Sequence, residues 1–434
     1  MMEQEKANPL KFSFESAESA NIGDYVGEQR RDAPISGLEK RMLRRLLQAI
    51  GNPPLRIVLW DGKELLRSAA EPETGLIIHD RSTLRRLLYN PDLNFGDEYR
   101  AGRLDVEGGL VRFIETLHRA RLQYFDDSQL QWQLLKLWNR PRSNSLAGSR
   151  KNIHHHYDLG NDFYRLWLDQ EMQYTCAYMP HAEMSLEAAQ AAKVDHVCRK
   201  LQLQPGEKVI EAGCGWGATA LHMARHYGVQ VRAFNISQEQ LDWARHRART
   251  EGLERQVEFV EDDYRNINGS CDAFVSIGML EHVGVDNYAE LGQVVNRCLA
   301  ASGRGLIHSI GQNQAQPMNP WIEKHIFPGA YPPTLREMLG VLEPIPFSVL
   351  DVENLRLHYA ETIEHWLARF EQHAPEVERM FDASFVRAWR LYLASSIASF
   401  TAGGLQLFQV LFARPGNNEF QWRSRAHLYS HDKH

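Results

Sequence analysis

Residues 209–217 read Val-Ile-Glu-Ala-Gly-Cys-Gly-Trp-Gly, where an apolar run ends at an acidic residue and three glycines follow at alternating positions. Such a run predicts a strand that turns sharply into a helix, because glycine adopts backbone angles that other residues avoid and lets a ligand approach the chain closely. The spacing is not that of the dinucleotide fingerprint G-x-G-x-x-G, since Ala218 stands where its last glycine belongs. The segment indicates a pocket for a nucleotide-type cofactor, with a plain tight turn as the alternative.

The second half of the chain alternates short apolar runs with helical patterns. Seven runs predict strands: Lys208–Ala212, Gln230–Phe234, Val257–Val260, Ala273–Ile277, Gly305–Ser309, Ser348–Leu355 and Leu405–Phe412. Five patterns predict helices: Trp216–His226, Gln238–Thr250, Tyr288–Ala300, Ala360–Phe370 and Phe385–Phe400. This alternation predicts an α/β fold, with a mostly parallel seven-stranded sheet covered by helices on both faces. Ligands of such sheets bind beyond the carboxyl ends of the strands.

The chain has 434 residues, 43% of them apolar, which is too long for one compact core, so we expect two domains. We divide it into a mobile polar leader, a smaller α+β N-terminal domain, a basic polar linker, a catalytic domain and a C-terminal tail, at residues 1–36, 37–138, 139–151, 152–415 and 416–434. Within the N-terminal domain, 56–60 and 74–79 read as strands, and a helical pattern runs from Leu104 to Leu117.

The composition excludes several classes. The net charge of −6 gives no support for nucleic-acid binding. Residues 391–413 carry no charge, yet Gly403 and Gly404 divide them and polar residues interrupt them, so we expect a core helix followed by a strand rather than a membrane span. Five cysteines without metal-ligand spacing indicate a reducing compartment, with Cys198, Cys271 and Cys298 as core residues. The first eleven residues lack the apolar stretch of a signal peptide, and we therefore expect a cytoplasmic protein.

Polar residues follow the second and third predicted strands of the sheet. After the second, Ser237 is a candidate helix cap and Gln240 is better placed for a ligand, such as ribose hydroxyls. After the third, residues 261–265 cluster carboxylates beside an aromatic ring, an arrangement suited to an adenine ring. Each segment alone could be a cap or a solvated acidic turn. Their register with the glycine-rich turn favours one cofactor pocket.

The glycine-rich segment resembles the first motif of S-adenosylmethionine-dependent methyltransferases. Five further segments, in this order along the chain, resemble cyclopropane-fatty-acid-phospholipid synthases, the family of mycolic acid cyclopropane synthase-like methyltransferases: His156–Tyr164, Met172–Tyr178, Gly278–Gly284, Leu306–Gly311 and Ile326–Gly329. The resemblance runs from about residue 150 to 415, and the N-terminal region resembles the extra domain of the full-length bacterial enzymes only weakly. It implies a class I, Rossmann-like methyltransferase fold.

What the resemblance implies is transfer of a methylene from S-adenosylmethionine to the cis double bond of an unsaturated acyl chain in a membrane phospholipid. The alkene attacks the sulfonium methyl, and a bound bicarbonate ion removes a proton from the resulting carbocation to close the ring. The resemblance suggests a homodimer. Because the protein must reach a lipid without spanning the bilayer, we expect peripheral contact with the inner face of the cell membrane. The site must hold the chain close to the sulfonium and exclude water.

The positions that match the family's bicarbonate pocket and catalytic set are Cys176, Glu281, His308, Ile310 and Tyr359. The positions that match its cofactor contacts are Tyr174, Thr175, Gly213, Gly215, Asn235, Ile236, Gln240, Asp262 and Asp263. Glu281 and His308 would hold the ion, Cys176 and Ile310 would contribute backbone groups, and the Tyr359 ring would face the cation. Thr175 stands where the family usually has serine, and Asn235 where it has threonine. Residues 330–334 also depart from the family pattern, beside the expected acyl channel.

Three alternatives stay open. A fatty-acyl C-methyltransferase would transfer the methyl group without ring closure and give methyl-branched or methyl-alkene lipids. A catalytically silent lipid-binding protein could use the same fold. A small-molecule or nucleic-acid methyltransferase is disfavoured, since Gly278-Met-Leu-Glu281 replaces the N-P-P-Y or D-P-P-Y run of those enzymes.

Overall fold

The computed structural model describes residues 33–67, 72, 74–126, 159–181 and 183–429. Most of the predicted leader, all of the predicted linker and residues 156–158 of the first family segment lie outside them. Regular structure begins at Gly37, where the preceding Ser36 caps the first helix by accepting a hydrogen bond from the Glu39 N–H at 3.2 Å.

The N-terminal unit is a four-stranded sheet with four helices. Its elements are α1 (Gly37–Ala49), β1 (Leu55–Val58), β2 (Glu64–Arg67), β3 (Thr74–Ile78), α2 (Arg81–Tyr89), α3 (Pro91–Arg100), β4 (Leu104–Glu107) and α4 (Leu110–Asp126). The strand order is β2-β1-β3-β4, with β1 and β3 parallel and the outer pairs antiparallel. An α+β arrangement was expected for this region.

The helical pattern predicted from Leu104 to Leu117 is wrong in its first six residues. Residues 104–107 form strand β4, which pairs antiparallel with β3, and helix α4 begins only at Leu110. Gly108 and Gly109 separate the two elements with φ values of 78° and 95°, which end the strand and redirect the chain. The apolar spacing alone could not distinguish a short edge strand from the first turn of a helix.

The second half builds a seven-stranded sheet, as predicted. Its strands are β5 (Lys208–Ala212), β6 (Gln230–Asn235), β7 (Val257–Glu261), β8 (Cys271–Ile277), β9 (Leu299–Gln312), β10 (Ser348–Asn354) and β11 (Leu405–Ala413). In the order β10-β11-β9-β8-β5-β6-β7, β11 pairs antiparallel with both of its neighbours, and the other pairs are parallel. The chain therefore has the expected α/β fold.

Helices cover this sheet. They are α5 (Asn161–Arg165), α6 (Leu186–Leu201), α7 (Ala218–Tyr227), α8 (Gln238–Thr250), α9 (Leu280–Val283), α10 (Tyr288–Cys298), α11 (Pro320–His325), α12 (Leu335–Leu339), α13 (Arg356–Met380), α14 (Ala383–Thr401) and α15 (Ala426–Tyr429). The five predicted helices are present. The first of them begins two residues later than predicted, because Trp216 and Gly217 still belong to the turn.

Parallel pairing brings the ends of four strands to one edge of the sheet. Ala212 at the end of β5 is aligned with Phe234 of β6 and Ser276 of β8, and Asn235 is aligned with Glu261 of β7. The Phe234 carbonyl accepts hydrogen bonds from the N–H groups of Gly213 and Cys214, at 2.9 and 3.1 Å. These bonds fix the glycine-rich turn at this edge.

The N-terminal unit packs against helices of the second half. Arg387 of α14 donates to the carbonyls of Tyr99 and Leu104, at 2.5 and 2.9 Å. Gly96 of α3 lies against the Trp321 ring of α11, so closely that a Cβ there would be 2.4 Å from a ring carbon. These contacts join the two halves in a single apolar core that includes residues of both.

Residues 391–413 form the end of α14 and strand β11, as predicted. No helix among the described residues is long and apolar enough to cross a bilayer. Strand β11 is buried from Gln406 to Ala413, and most residues at the end of α14 are buried in the apolar core that the two halves share. Cys198, Cys271 and Cys298 are buried free thiols, which confirms the prediction that they are core residues.

The segment after residue 415 also packs on the second half. Arg425 binds the Asp351 carboxylate of β10 at 2.5 Å, and Leu428 of α15 is buried. Arg199 of α6 donates to the Leu428 carbonyl at 3.3 Å. The chain therefore returns to the sheet after its last strand.

Candidate active site

A pocket lies at the carboxyl edge of the sheet, beyond β5, β6, β7 and β8. All nine residues predicted to contact a cofactor line it: Tyr174, Thr175, Gly213, Gly215, Asn235, Ile236, Gln240, Asp262 and Asp263. They come from four separate parts of the chain. The prediction that these segments meet at one place is therefore confirmed, while their roles stay predictions.

The glycine-rich turn forms one wall of the pocket. Gly213, Gly215 and Gly217 have φ values of 84°, 53° and 85°, in the left-handed region that favours glycine. At Gly217 a Cβ would also lie 2.7 Å from the Phe259 ring and 2.8 Å from the Ala244 Cβ. The turn is thus held against β7 and α8 by contacts that only glycine allows.

Asn235 connects the turn to the start of α8. Its amide nitrogen donates to Gln240 Oε1 at 2.8 Å and to the Gly215 carbonyl at 3.2 Å. Ser237 accepts from the Gln240 N–H, so its predicted role as a helix cap is confirmed. Asparagine at 235, where the family usually has threonine, therefore contributes bonds that hold the pocket together.

The acidic residues after β7 are oriented by their neighbours. Asp263 is buried, accepts from the Arg265 N–H at 3.0 Å and pairs with the Arg265 guanidinium at 3.0 Å. Asp262 accepts from the Asp263 N–H at 2.8 Å and from the Asn266 amide at 2.7 Å. Both residues line the pocket, and Asp263 caps the short 3₁₀ turn Tyr264–Asn266 that follows them.

The predicted catalytic residues lie beside this pocket. Glu281 is on α9, whose neighbours Met279 and His282 line the pocket. Its Oε1 accepts from the Ile310 N–H at 2.7 Å, while Oε2 is buried and has no hydrogen-bond partner among the described residues. The nearby Ser309 hydroxyl donates to the Ile310 carbonyl at 3.0 Å. Burial raises the pKa of Glu281 to about 7, although the bond from Ile310 opposes the shift.

His308 lies two residues before Ile310 on β9 and is buried. The amide nitrogen of Gln409 on β11 lies 3.0 Å from His308 Nδ1. With the Gln409 amide in this orientation, its N–H donates to Nδ1, which assigns the ring proton to Nε2; Nε2 is buried without a partner among the described residues. Burial holds the pKa of His308 well below its usual range, and the ring is neutral.

Cys176 and Tyr359 are buried members of one large apolar cluster, and Ile310 packs against this cluster. The Cys176 thiol donates to the Ala177 and Leu355 carbonyls, at 3.0 and 4.0 Å. Burial raises the pKa of this thiol far above its usual value, so it stays protonated and is not a nucleophile. The Tyr359 ring packs on Phe400 with the ring centres 4.8 Å apart.

A family model described as mycolic acid cyclopropane synthetase matches residues 144–410. The chain belongs to this family. It is an S-adenosylmethionine-dependent methyltransferase of the cyclopropane synthase type. A second model, for a domain of unknown function, matches residues 42–129.

Relatives resemble most of the chain. A cyclopropane-fatty-acyl-phospholipid synthase of Escherichia coli strain K12 is 37% identical, over 77% of this chain and 86% of its own length. A probable fatty acid methyltransferase of Pseudomonas putida is 32% identical, over 87% of this chain and 96% of its own length. The solved structure of the mycolic acid cyclopropane synthase CmaA1 with SAH and CTAB covers 61% of this chain and 98% of its own, with 29% identity and a TM-score of 0.58.

The pocket is also lined by residues that the sequence analysis did not predict as site residues. They are Lys193, Glu211, Trp216, Met279 and His282. Glu211 was visible as the acidic residue before the glycines, but no ligand role followed from that position. Lys193 had no signal, because no motif includes it and its helix, α6, was not among the predicted ones. A role for Lys193 becomes visible only from the side chains that surround it in the fold.

Proposed function

We propose that the protein is a cyclopropane-fatty-acyl-phospholipid synthase, which adds a methylene from S-adenosylmethionine across the cis double bond of a phospholipid acyl chain. The observation that carries this proposal is the buried pair Glu281 and His308 next to the cofactor pocket, each with an unpartnered polar atom. Such atoms are costly to bury, and are therefore expected to bind a small polar ligand.

The residues fit both groups that the reaction needs. For S-adenosylmethionine, which supplies an electrophilic methyl, the pocket offers the glycine turn, Asn235 and the two acidic residues after β7. For bicarbonate, which supplies a base, the Nε2–H of His308 and the protonated form of Glu281 are hydrogen-bond donors suited to an anion. The Tyr359 ring, among other aromatic rings of the same cluster, offers a face to a developing cation. These roles are proposals.

A fatty-acyl C-methyltransferase is the second candidate, and the fatty acid methyltransferase among the relatives is the reason to test it. Expression in a bacterial host that lacks such an enzyme, followed by mass spectrometry and proton NMR of the phospholipid acyl chains, separates the two. We expect saturated chains that have gained one CH₂ and that show upfield ring protons. A methyl branch or a remaining double bond supports the second candidate, and unchanged chains contradict both.

We further propose that the N-terminal domain contacts the inner face of the cell membrane from the cytoplasm, and that a homodimer provides two such contacts. Helix α1 supports this proposal. Arg41 and Arg45 are exposed on the same face as Leu38 and Met42, which are 67% and 42% exposed. The carboxylate of α1, Glu39, is buried and bound to Arg81 of α2 at 2.9 Å. Basic and apolar side chains on one helix face are typical of binding to an anionic lipid surface.

Replacement of both Arg41 and Arg45 by glutamine is expected to weaken binding to phosphatidylglycerol vesicles by about 10- to 30-fold, since each basic residue near the surface contributes about 1 kcal/mol. Vesicle sedimentation at low and high salt measures this. The matched control replaces two exposed arginines of the second half, Arg249 and Arg255. Equal losses in the two double variants would contradict a role for α1.

A further inference from the structure

Lys193 is a buried lysine in the wall of the cofactor pocket, and no step of the proposed reaction uses it. It lies on α6, and its side chain is 1% exposed. Its Nζ donates to Thr175 Oγ1 at 2.9 Å and forms no ion pair with the described residues. A buried ammonium with a single neutral partner is costly, because desolvation disfavours its charge.

The neighbouring charges do not neutralise it. Burial lowers the pKa of Lys193 to about 8, and the carboxyl groups of Asp169 and Glu211 oppose this shift by attraction. Burial in turn raises the pKa of Glu211 to about 7. Its Oε2 is buried, with no hydrogen-bond partner among the described residues. The pocket wall thus contains a cationic and an acidic group that are both available to a ligand.

The hydrogen bond to Thr175 has a directional consequence. An ammonium has only donors, so the Thr175 oxygen accepts, and its own proton is free to be donated to another group. Thr175 lines the pocket, and its carbonyl is held by the Gln190 amide at 2.8 Å, which fixes the backbone. Thr175 therefore offers a hydroxyl donor to the pocket, with the positive charge of Lys193 next to it. This combination suits a carboxylate.

We infer that Lys193 is a positioning residue, which acts through Thr175 to hold the α-carboxylate of the cofactor's amino-acid end. A positive charge beside a sulfonium would be repulsive unless a negative group lay close to it, and the α-carboxylate is the negative group that the cofactor contains. Glu211 is then available to the α-ammonium group of the same end. This inference rests on the cofactor part of the proposed function and on no other part of it.

Calorimetry with S-adenosylhomocysteine tests this, with a decarboxylated analogue as the second probe. Replacement of Lys193 by methionine is expected to weaken S-adenosylhomocysteine binding by about 10- to 100-fold, the range for a hydrogen bond to a charged group. Binding of the decarboxylated analogue is expected to change by less than about twofold, because the group that Lys193 holds is missing. In the wild type, affinity for S-adenosylhomocysteine should fall as the pH rises through about 8, where Lys193 loses its proton, and this fall should vanish in Lys193→Met.

Two further variants separate a specific effect on the cofactor site from a general loss of stability. Lys200 is buried on the same helix, two turns later, and pairs with Glu353 at 2.6 Å. Lys200→Met should lower the unfolding temperature and leave the affinity for S-adenosylhomocysteine unchanged. Thr175→Val should reproduce the loss of Lys193→Met, and the double variant should lose little more, because the two residues act as one unit.

The results separate two failures. If the wild type does not bind S-adenosylhomocysteine, the proposed function itself is contradicted. If the wild type binds it and Lys193→Met loses affinity equally for both probes, or loses none, only the role of Lys193 is overturned.

Discussion

Replacement of Glu281 by glutamine is expected to lower kcat by about 10²-fold or more while S-adenosylhomocysteine binds as it does to the wild type. Glu281 is proposed to hold and orient the bicarbonate that acts as base, and displacing a reacting group by about 1 Å can cost a factor in this range. Glutamine keeps an oxygen that can accept from the Ile310 N–H, which in the wild type lies 2.7 Å from Oε1, and an amide that can donate. The amide N–H groups point in different directions from a carboxyl O–H, so the ion would be displaced from the position in which it removes the proton. Turnover with purified phospholipid vesicles and calorimetry measure the two quantities.

The pH dependence gives an independent check on Glu281. Its carboxyl group donates a hydrogen bond only when protonated, and burial raises its pKa to about 7. The protonated fraction falls as the pH rises through this value, so the KM for bicarbonate should increase from about pH 6.5 to about pH 8.5. In Glu281→Gln the KM for bicarbonate should not show this change. A wild-type turnover number in Glu281→Gln, or the same pH dependence in both proteins, would contradict the role.

The control for Glu281 is a buried carboxyl group outside the site. Glu98 of the N-terminal unit is fully buried and pairs with Arg86 and Arg103, at 3.1 and 2.5 Å. Glu98→Gln removes a charge from an ion-pair network and should reduce stability without changing the pH dependence of bicarbonate use. A change in that dependence would show that the effect is not local to the active site.

The methyltransferase sheet could be predicted well from the sequence, because the apolar runs of its strands and the amphipathic patterns of its helices are both strong. Strand β5 and helix α8 have the predicted bounds, since an apolar run and an amphipathic pattern are each closed by a clear turn or cap. Short edge strands carry less signal. Strand β4 has only its first residue fully buried, so its pattern also fitted a helix.

The pocket residues were predictable for a different reason. The cofactor positions were expected from the family resemblance, and those of the sheet follow strand ends, which parallel pairing brings together. The geometry around the catalytic set did not follow from motifs, because it depends on packing between distant segments. The bond from Gln409 to His308 joins residues 101 positions apart, and the contact of Gly96 with Trp321 joins the two halves of the chain. No local pattern could have indicated either.

The second large effect is expected in the glycine-rich turn, for Gly217→Ala. Alanine at this position must adopt a φ of 85°, which costs about 1–2 kcal/mol, and its Cβ would lie 2.7 Å from the Phe259 ring. Phe259 on β7 and Ala244 on α8 are both buried in the core of the sheet, so neither can move away without opening a void. We expect a loss of about 2–4 kcal/mol in the free energy of unfolding.

Gly215→Ala is the matched control for this variant. Gly215 lies two residues earlier, also has a positive φ, of 53°, and has open space where the Cβ would be placed. It therefore isolates the cost of the backbone conformation, about 1–2 kcal/mol, from the cost of the clash. Urea unfolding of the three proteins without ligand measures the difference. If Gly217→Ala lost no more stability than Gly215→Ala, the contact with Phe259 would not hold the turn. The position of the cofactor loop would then depend on its hydrogen bonds, which run from Gly213 and Cys214 to the Phe234 carbonyl and from the Asn235 amide to the Gly215 carbonyl.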